Sequence, residues 1–263
     1  MNEGHVPHAV RIAAVGDIHC TRESRGILHE LFVQATEHAD ILLLAGDLTD
    51  YGLAEEAHVL AAELAGAQLP VLAVLGNHDH ESGTPDEVAA ILSEAGVKVL
   101  DGDAVEVKGI GFAGAKGFGG GFGASALGAW GEPATKAFVQ AALDEALKLE
   151  TALARLRMEQ RVVLLHYSPV EQTVDGEPQM IYPFLGSSRL EEPIDRFAAS
   201  AVFHGHAHHG RLEGATCGGT PVYNVSLPLL RASGGPLPFR VIELAGAPPA
   251  DELAEPAARS GGG

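Results

Sequence analysis

Asp, Asn and His side chains, the groups that bind divalent cations and move protons, recur along this chain at set places. Asp17 and His19 stand two apart in Gly-Asp-Ile-His, and Asp47 and Asp50 three apart in Gly-Asp-Leu-Thr-Asp. Asn77, His78, Asp79 and His80 follow Gly76 without interruption, His166 follows a run of apolar residues, and His204, His206, His208 and His209 crowd one short segment. Carboxylate, amide oxygen and imidazole together suit a pair of manganese, iron or zinc ions. An all-oxygen set would indicate magnesium or calcium, and thiolates a structural zinc. A lone histidine would say little; the joint pattern carries the signal.

Each cluster follows an apolar run that reads as a buried strand. Such runs occupy Arg11–Val15, Ile41–Ala45 and Val71–Leu75, with helix-like stretches at Ser24–Glu37 and Ala54–Ala65 between them. That is the alternation of a layered α/β fold with parallel strands. In such sheets ligands gather beyond the carboxyl ends of the strands, so three successive strand ends would pool their side chains on one edge. Val97–Leu100 and Ala104–Ile110 read as further strands, as do Arg161–Leu165, Ala201–Phe203, Pro221–Val225 and Phe239–Leu244.

Residues 111–160 stand apart from this rhythm. The stretch 111–133 is rich in glycine but holds no phosphate-cradling motif, which leaves a loop or lid. Beyond Pro133, Val139, Ala142, Ala146, Leu149, Leu153 and Leu156 recur three and four apart, as expected of a helix packed on the domain, a helical arm or a dimer seam. Residues 1–245 therefore read as one domain with 111–160 inserted, and 246–263, rich in Ala, Pro and Gly, as a disordered tail.

Bulk properties narrow the class. The chain has 263 residues, 46% of them apolar, and a net charge of −18, which argues against a broad grip on nucleic acid or an anionic membrane. No apolar run is long enough to span a bilayer and the N-terminus lacks the regions of a signal peptide, so a cytoplasmic protein is expected. Cys20 and Cys217 form no CxxC pair and no disulfide framework.

The blocks Asp17-Ile18-His19, Gly46-Asp47-Leu48-Thr49-Asp50, Gly76-Asn77-His78-Asp79, His166 and Gly205-His206-Ala207-His208 resemble, in order, those of the calcineurin-like metallophosphoesterase superfamily. The resemblance implies a four-layer α/β/β/α sandwich with two mixed sheets. It assigns Asp17, His19 and His208 to one divalent metal and Asn77, His166 and His206 to the other, with Asp47 bridging. It further implies a phosphoester hydrolase, with manganese the first choice and iron or zinc alternatives. A metal-bridging hydroxide would be the nucleophile and His78 the proton donor to the leaving group. Asp50 would orient His78, although Asp is also a preferred helix cap and could serve the helix that follows. Two such cations leave the centre at about +1 inside an acidic protein.

A proton donor for a poor leaving group favours a phosphodiesterase acting on a small phosphoester, with a cyclic nucleotide as one candidate. A phosphomonoesterase, a nuclease and a non-catalytic metal-binding scaffold are the alternatives, and a homodimer is possible. Asp79 either tunes the centre or satisfies loop amides, and His80, His204 and His209 fall outside the ligand pattern. His206 and His208, two apart, would face one way on an extended segment, whereas Asn77 and His78, one apart, would diverge. Arg22, Arg25, Arg189 and Arg211 are candidates for substrate contact, and Tyr167, Tyr182 and Phe184 for the entrance.

Overall fold

Phe112, Val162, Leu164, Ala201 and Phe203 belong to one apolar cluster, while Ala113, Val163, Leu165 and Val202, alternating with them in sequence, belong to another. This period of two marks strands buried on both faces, one against a second sheet and one against helices. The computed structural model describes residues 9–246; all but the first residue of the expected tail lies outside them. Its strands are β1 (Ala9–Val15), β2 (Ile41–Ala45), β3 (Val71–Val74), β4 (Lys98–Val99), β5 (Asp103–Val107), β6 (Ile110–Gly114), β7 (Arg161–Leu164), β8 (Ala201–His204), β9 (Glu213–Ala215), β10 (Pro221–Asn224) and β11 (Arg240–Ala245). One sheet runs β11-β1-β2-β3-β4, parallel except for β11, and the other β5-β6-β7-β8-β10-β9, parallel within β6-β7-β8-β10. Both sheets are thus mixed.

Helices α1 (His29–His38), α2 (Ala54–Leu64) and α3 (Pro85–Glu94) connect the strands of the first sheet, and α4 (Pro133–Arg155) lies against β5 and β6 of the second. The second sheet also carries the short helices α5 (Tyr182–Leu185) and α6 (Glu191–Arg196); α7 (Leu227–Ala232) precedes β11. The stripe on α4 buries Val139, Ala142, Leu149 and Leu153, and Leu143 and Leu147 on its other side are exposed. The two mixed sheets flanked by helices make the four-layer sandwich expected from the sequence.

Several local expectations change. The strand expected at Ala104–Ile110 is a hairpin, because Lys108 (φ 51°) and Gly109 (φ 75°) form the two-residue left-handed turn that reverses a strand pair. Its second arm, β6, reaches into the stretch read as a loop. Gly111 and Gly114 hid it: a Cβ on Gly114 would stand 2.5 Å from the Leu100 Cβ, so close packing and not flexibility requires glycine there. Helix α1 begins at His29 and not near Ser24, since Glu63 draws the amides of Gly26, Leu28 and His29 into a turn at 2.6–2.9 Å.

Candidate metal centre

The strand ends bring the predicted residues together through unusual backbone. Six non-glycine residues among those described have positive φ, and four of them are Asp17 (54°), His19 (47°), Asp47 (48°) and His206 (69°). Left-handed conformations in such residues cost on the order of 1–3 kcal/mol each and persist where the surroundings over-determine them. Here the surroundings are two parallel loops. The amides of Asp17, His19 and Cys20 donate to the carbonyls of Gly46, Asp47 and Leu48 at 2.9–3.0 Å, continuing the β1-β2 pairing past the strand ends.

The glycines before each motif make room for a ligand. A Cβ on Gly76 would meet the Asp47 Oδ1 at 2.1 Å, one on Gly205 the Asp17 Oδ2 at 2.3 Å, and one on Gly46 the His166 Nδ1 at 2.5 Å. Asp79 supplies the frame beneath. Fully buried, it accepts the amides of Leu48 (3.1 Å), Thr49 (2.8 Å) and Gly76 (2.8 Å) and the Thr49 hydroxyl (2.6 Å), so it ties the loop bearing Asp47 to that bearing Asn77. Of its two expected roles, satisfying loop amides is the one its contacts display.

Two clusters result. Asp17, His19 and His208 offer ligand atoms within 4.8 Å of one another, and so do Asp47, His166 and His206. Asn77 joins the second set, with its Oδ1 2.9 Å from the His166 Nε2. Asp47 reaches toward both: its Oδ1 lies 3.3 Å from the His166 Nε2 and its Oδ2 3.8 Å from the His19 Nε2. Asp47 therefore lies between the two groups of candidate ligands.

The donor chemistry fits cations. His166 directs Nδ1 at the Ala45 carbonyl (2.9 Å), which fixes the tautomer and leaves a lone pair on Nε2. That lone pair, the Asn77 Oδ1 and the Asp47 Oδ1 converge with no proton among them, an arrangement a bound cation relieves. Both ring nitrogens of His19 are buried without a hydrogen-bond partner, and a cation coordinated at Nε2 would engage the lone pair there. Burial depresses His206 to about 4, so at neutral pH it presents the uncharged imidazole that coordinates metals. For Asp17, burial alone would raise the pKa, but the His208 hydrogen bond (2.9 Å) and the His206 amide bring it below the ordinary value.

Two expectations about backbone direction are corrected. His206 and His208 do not lie on an extended segment: His206 is left-handed because its amide points at the Asp17 carboxylate (2.9 and 3.0 Å). Asn77 (φ −69°, ψ −33°) leads into a 3₁₀ turn over His78–His80, so Asn77 and His78 diverge by helical rotation and not by strand alternation.

His78 belongs to a third group of neighbouring side chains, with His19 and Asp50. Its Nδ1 contacts the Asp50 backbone carbonyl at 2.7 Å, and its ring meets that of His19 edge-on at 4.5 Å. The Asp50 carboxylate lies nearer His19 Nδ1 (3.2 Å) than His78 Nδ1 (3.9 Å). Asp50 does not cap α2, whose N-cap is Leu53, with the Glu56 carboxylate accepting the Tyr51 amide at 2.8 Å. His204, outside the ligand pattern, is buried between the Thr173 hydroxyl and the Gly205 carbonyl (2.8 Å each). His80 and His209 are exposed.

A profile of the calcineurin-like phosphoesterase family matches residues 10–210. This chain belongs to that family. Its members generally bind two divalent metals, and the two Asp/His clusters are the candidate ligands here. No curated protein matches the chain in sequence. Among solved structures, the phosphopantetheinyl hydrolase of Mycobacterium tuberculosis is 15% identical with a TM-score of 0.66, over 90% of this chain and 97% of that one. The protein TT1561 of Thermus thermophilus is 18% identical with a TM-score of 0.56, over 90% and 99%. A putative 5′-nucleotidase of Staphylococcus aureus is 16% identical with a TM-score of 0.51, over 82% and 48%. These similarities show a common fold.

The arginines singled out in the sequence are mostly occupied. Arg22 pairs with Glu55 (3.6 Å), Arg211 with Asp175 (2.7 Å), and the Arg189 Nη2 with the Leu127 carbonyl (2.5 Å). Lys116, which sequence reasoning passed over, sits just beyond the end of β6, and its carbonyl accepts the amides of His166 and Tyr167 at 3.0 and 3.1 Å. The available signal was its position after an apolar run, masked by the glycines on both sides. Tyr167 and Phe184 do border the centre: the Tyr167 ring lies 4.5 Å from that of His206, and the His206 Nε2 is 3.1 Å from the Phe184 carbonyl. Tyr182 lies farther out, against Phe122 at 6.5 Å.

Proposed function

We propose that this metal-dependent phosphoesterase is a phosphodiester hydrolase. The observation that carries the reading is the placement of His78: its Nδ1 is anchored by the Asp50 carbonyl, its side chain is 41% exposed, and its Nε2 faces Asp47 at 4.0 Å. An anchored yet accessible imidazole at the edge of the ligand cluster is suited to protonating an alkoxide leaving group. With Nδ1 donating to the Asp50 carbonyl, Nε2 is the ring atom left to face the substrate. Two divalent cations, manganese for preference, would supply an activated water and charge neutralisation at the phosphoryl group. Asp17, His19 and His208 would hold one of them and Asn77, His166 and His206 the other, with Asp47 between. A small diester, a cyclic nucleotide among the first to try, is the substrate class we infer, hydrolysed in the cytoplasm.

With manganese present, bis-p-nitrophenyl phosphate should be cleaved faster than p-nitrophenyl phosphate, and a clear monoester preference would overturn the assignment. His78→Ala should keep its metal and lose kcat by about 10²-fold on an alkyl diester such as a cyclic nucleotide. The loss should shrink on the nitrophenyl diester, whose leaving group departs without a proton. A second reading, phosphomonoesterase, takes what favour it has from the putative 5′-nucleotidase of like fold.

A further inference from the structure

Lys116 is the one strand-end cation beside the centre whose charge finds no carboxylate within 4.0 Å among the described residues. Only part of its side chain is accessible, and its Nζ makes a single hydrogen bond, to the Gly117 carbonyl at 3.0 Å. The nearby Glu145 is already committed, accepting the Gly117 amide (2.9 Å) and pairing with Lys148 (2.9 Å). The ammonium lies instead over two rings, 4.9 Å from the centre of Phe118 and 5.2 Å from that of Tyr167. Ring faces attract a cation but leave its remaining N–H donors unused, and low-dielectric walls strengthen any anion contact made there.

The same rings connect the ammonium to the ligand cluster. Tyr167 touches His206 at 4.5 Å, and Phe118 continues through Phe138 (4.9 Å) to Phe184 (5.9 Å), which is 58% exposed. Lys116 thus stands one ring away from a metal ligand: beside the centre, and displaced from it by the width of Tyr167. A group bound there belongs to the half of the substrate that does not react.

We propose that Lys116 and the rings about it form a subsite for a second phosphate group on the non-reacting half of the substrate, an inference that rests on the phosphoesterase reading above. The positive charge that a protein at −18 needs for such a substrate is then supplied by one lysine as well as by the centre.

Inorganic phosphate, diphosphate and triphosphate form a ruler for the test. Manganese-loaded wild type, Lys116→Met and Lys116→Arg are titrated calorimetrically with each at fixed free manganese, with Lys116→Gln as the neutral variant if Met impairs folding. Inorganic phosphate reads the centre alone and should bind wild type and Lys116→Met equally. At least one of the longer anions should bind Lys116→Met about tenfold more weakly than wild type, with Lys116→Arg close to wild type. Equal binding of all three anions by wild type and Lys116→Met overturns the subsite. So does a uniform loss that includes inorganic phosphate, because Lys116 would then act on the centre itself. If no phosphoester is hydrolysed yet the length-dependent step remains, the enzyme reading fails and the subsite stands. Hydrolysis without that step means the reverse: the enzyme reading stands and the subsite fails.

Discussion

The rim that carries the candidate ligands and the rim beside it, formed where residues 115–127 and 182–189 meet Phe138 and Ser168, are built on different principles. The first consists of short turns at strand ends, where Asp17, His19, Asp47 and His206 are left-handed and glycines clear approaches of 2.1–2.5 Å to Asp17, Asp47 and His166. The second is assembled by distant segments meeting: Gly121 pairs with Ser187, Ser168 with Gly186, and Phe118, Phe138 and Phe184 come from three separate stretches. One rim is a local construction repeated at each strand end; the other exists only once the chain has folded. The candidate metal ligands lie in the first, and the proposed phosphate subsite in the second.

The contrast is sharpest at Asp47. It faces ligands of both clusters and also accepts the His78 amide at 2.8 Å, so Asp47→Asn should lower activity on the order of 10³-fold and reduce bound metal, read by kinetics and elemental analysis. Gly76→Ala should follow, destabilising the protein by about 3 kcal/mol or more in urea unfolding, because the Asp47 amide, 2.2 Å from the new Cβ, cannot move aside.

The pH dependence of stability tests the interior behind the centre. Burial lowers His204 from 6.5 to about 4, so the unfolded chain binds the proton more readily than the folded one. Its contribution is complete above about pH 6.5, falls as pH drops toward 4, and levels off below that, amounting to about 3 kcal/mol. Urea midpoints of the metal-free protein between pH 7 and 4 should show this decline, and a His204→Gln variant should flatten it.

The neighbouring rim should respond least. Phe184→Ala removes a side chain that is 58% exposed and should change unfolding free energy by no more than about 0.5 kcal/mol. A large destabilisation there would mean that both rims are equally part of the core and would break the contrast.

Much of the first rim was legible because its determinants are contiguous in sequence. The strands Ile41–Ala45 and Arg161–Leu164 announce themselves by apolar runs, and the motifs Gly46-Asp47 and Gly205-His206 give both a ligand and the space for one. The role of Asp79 was not readable, since its partners Leu48, Thr49 and Gly76 are named only by the fold. Strand β6 was concealed by glycines that serve packing, and the start of α1 was not readable because Glu63, more than thirty residues away, shapes it.

By itself the sequence determined the layered α/β order, the family, and which Asp, Asn and His residues gather at one sheet edge, because strand periodicity and strand-end turns are short-range. Only the tertiary structure decided that Asp50 holds His78 through its carbonyl, that three of the four noted arginines are engaged elsewhere, and that Lys116 stands among aromatic rings without a carboxylate in reach. Those outcomes depend on which side chains meet across loops, and no local spacing encodes such meetings.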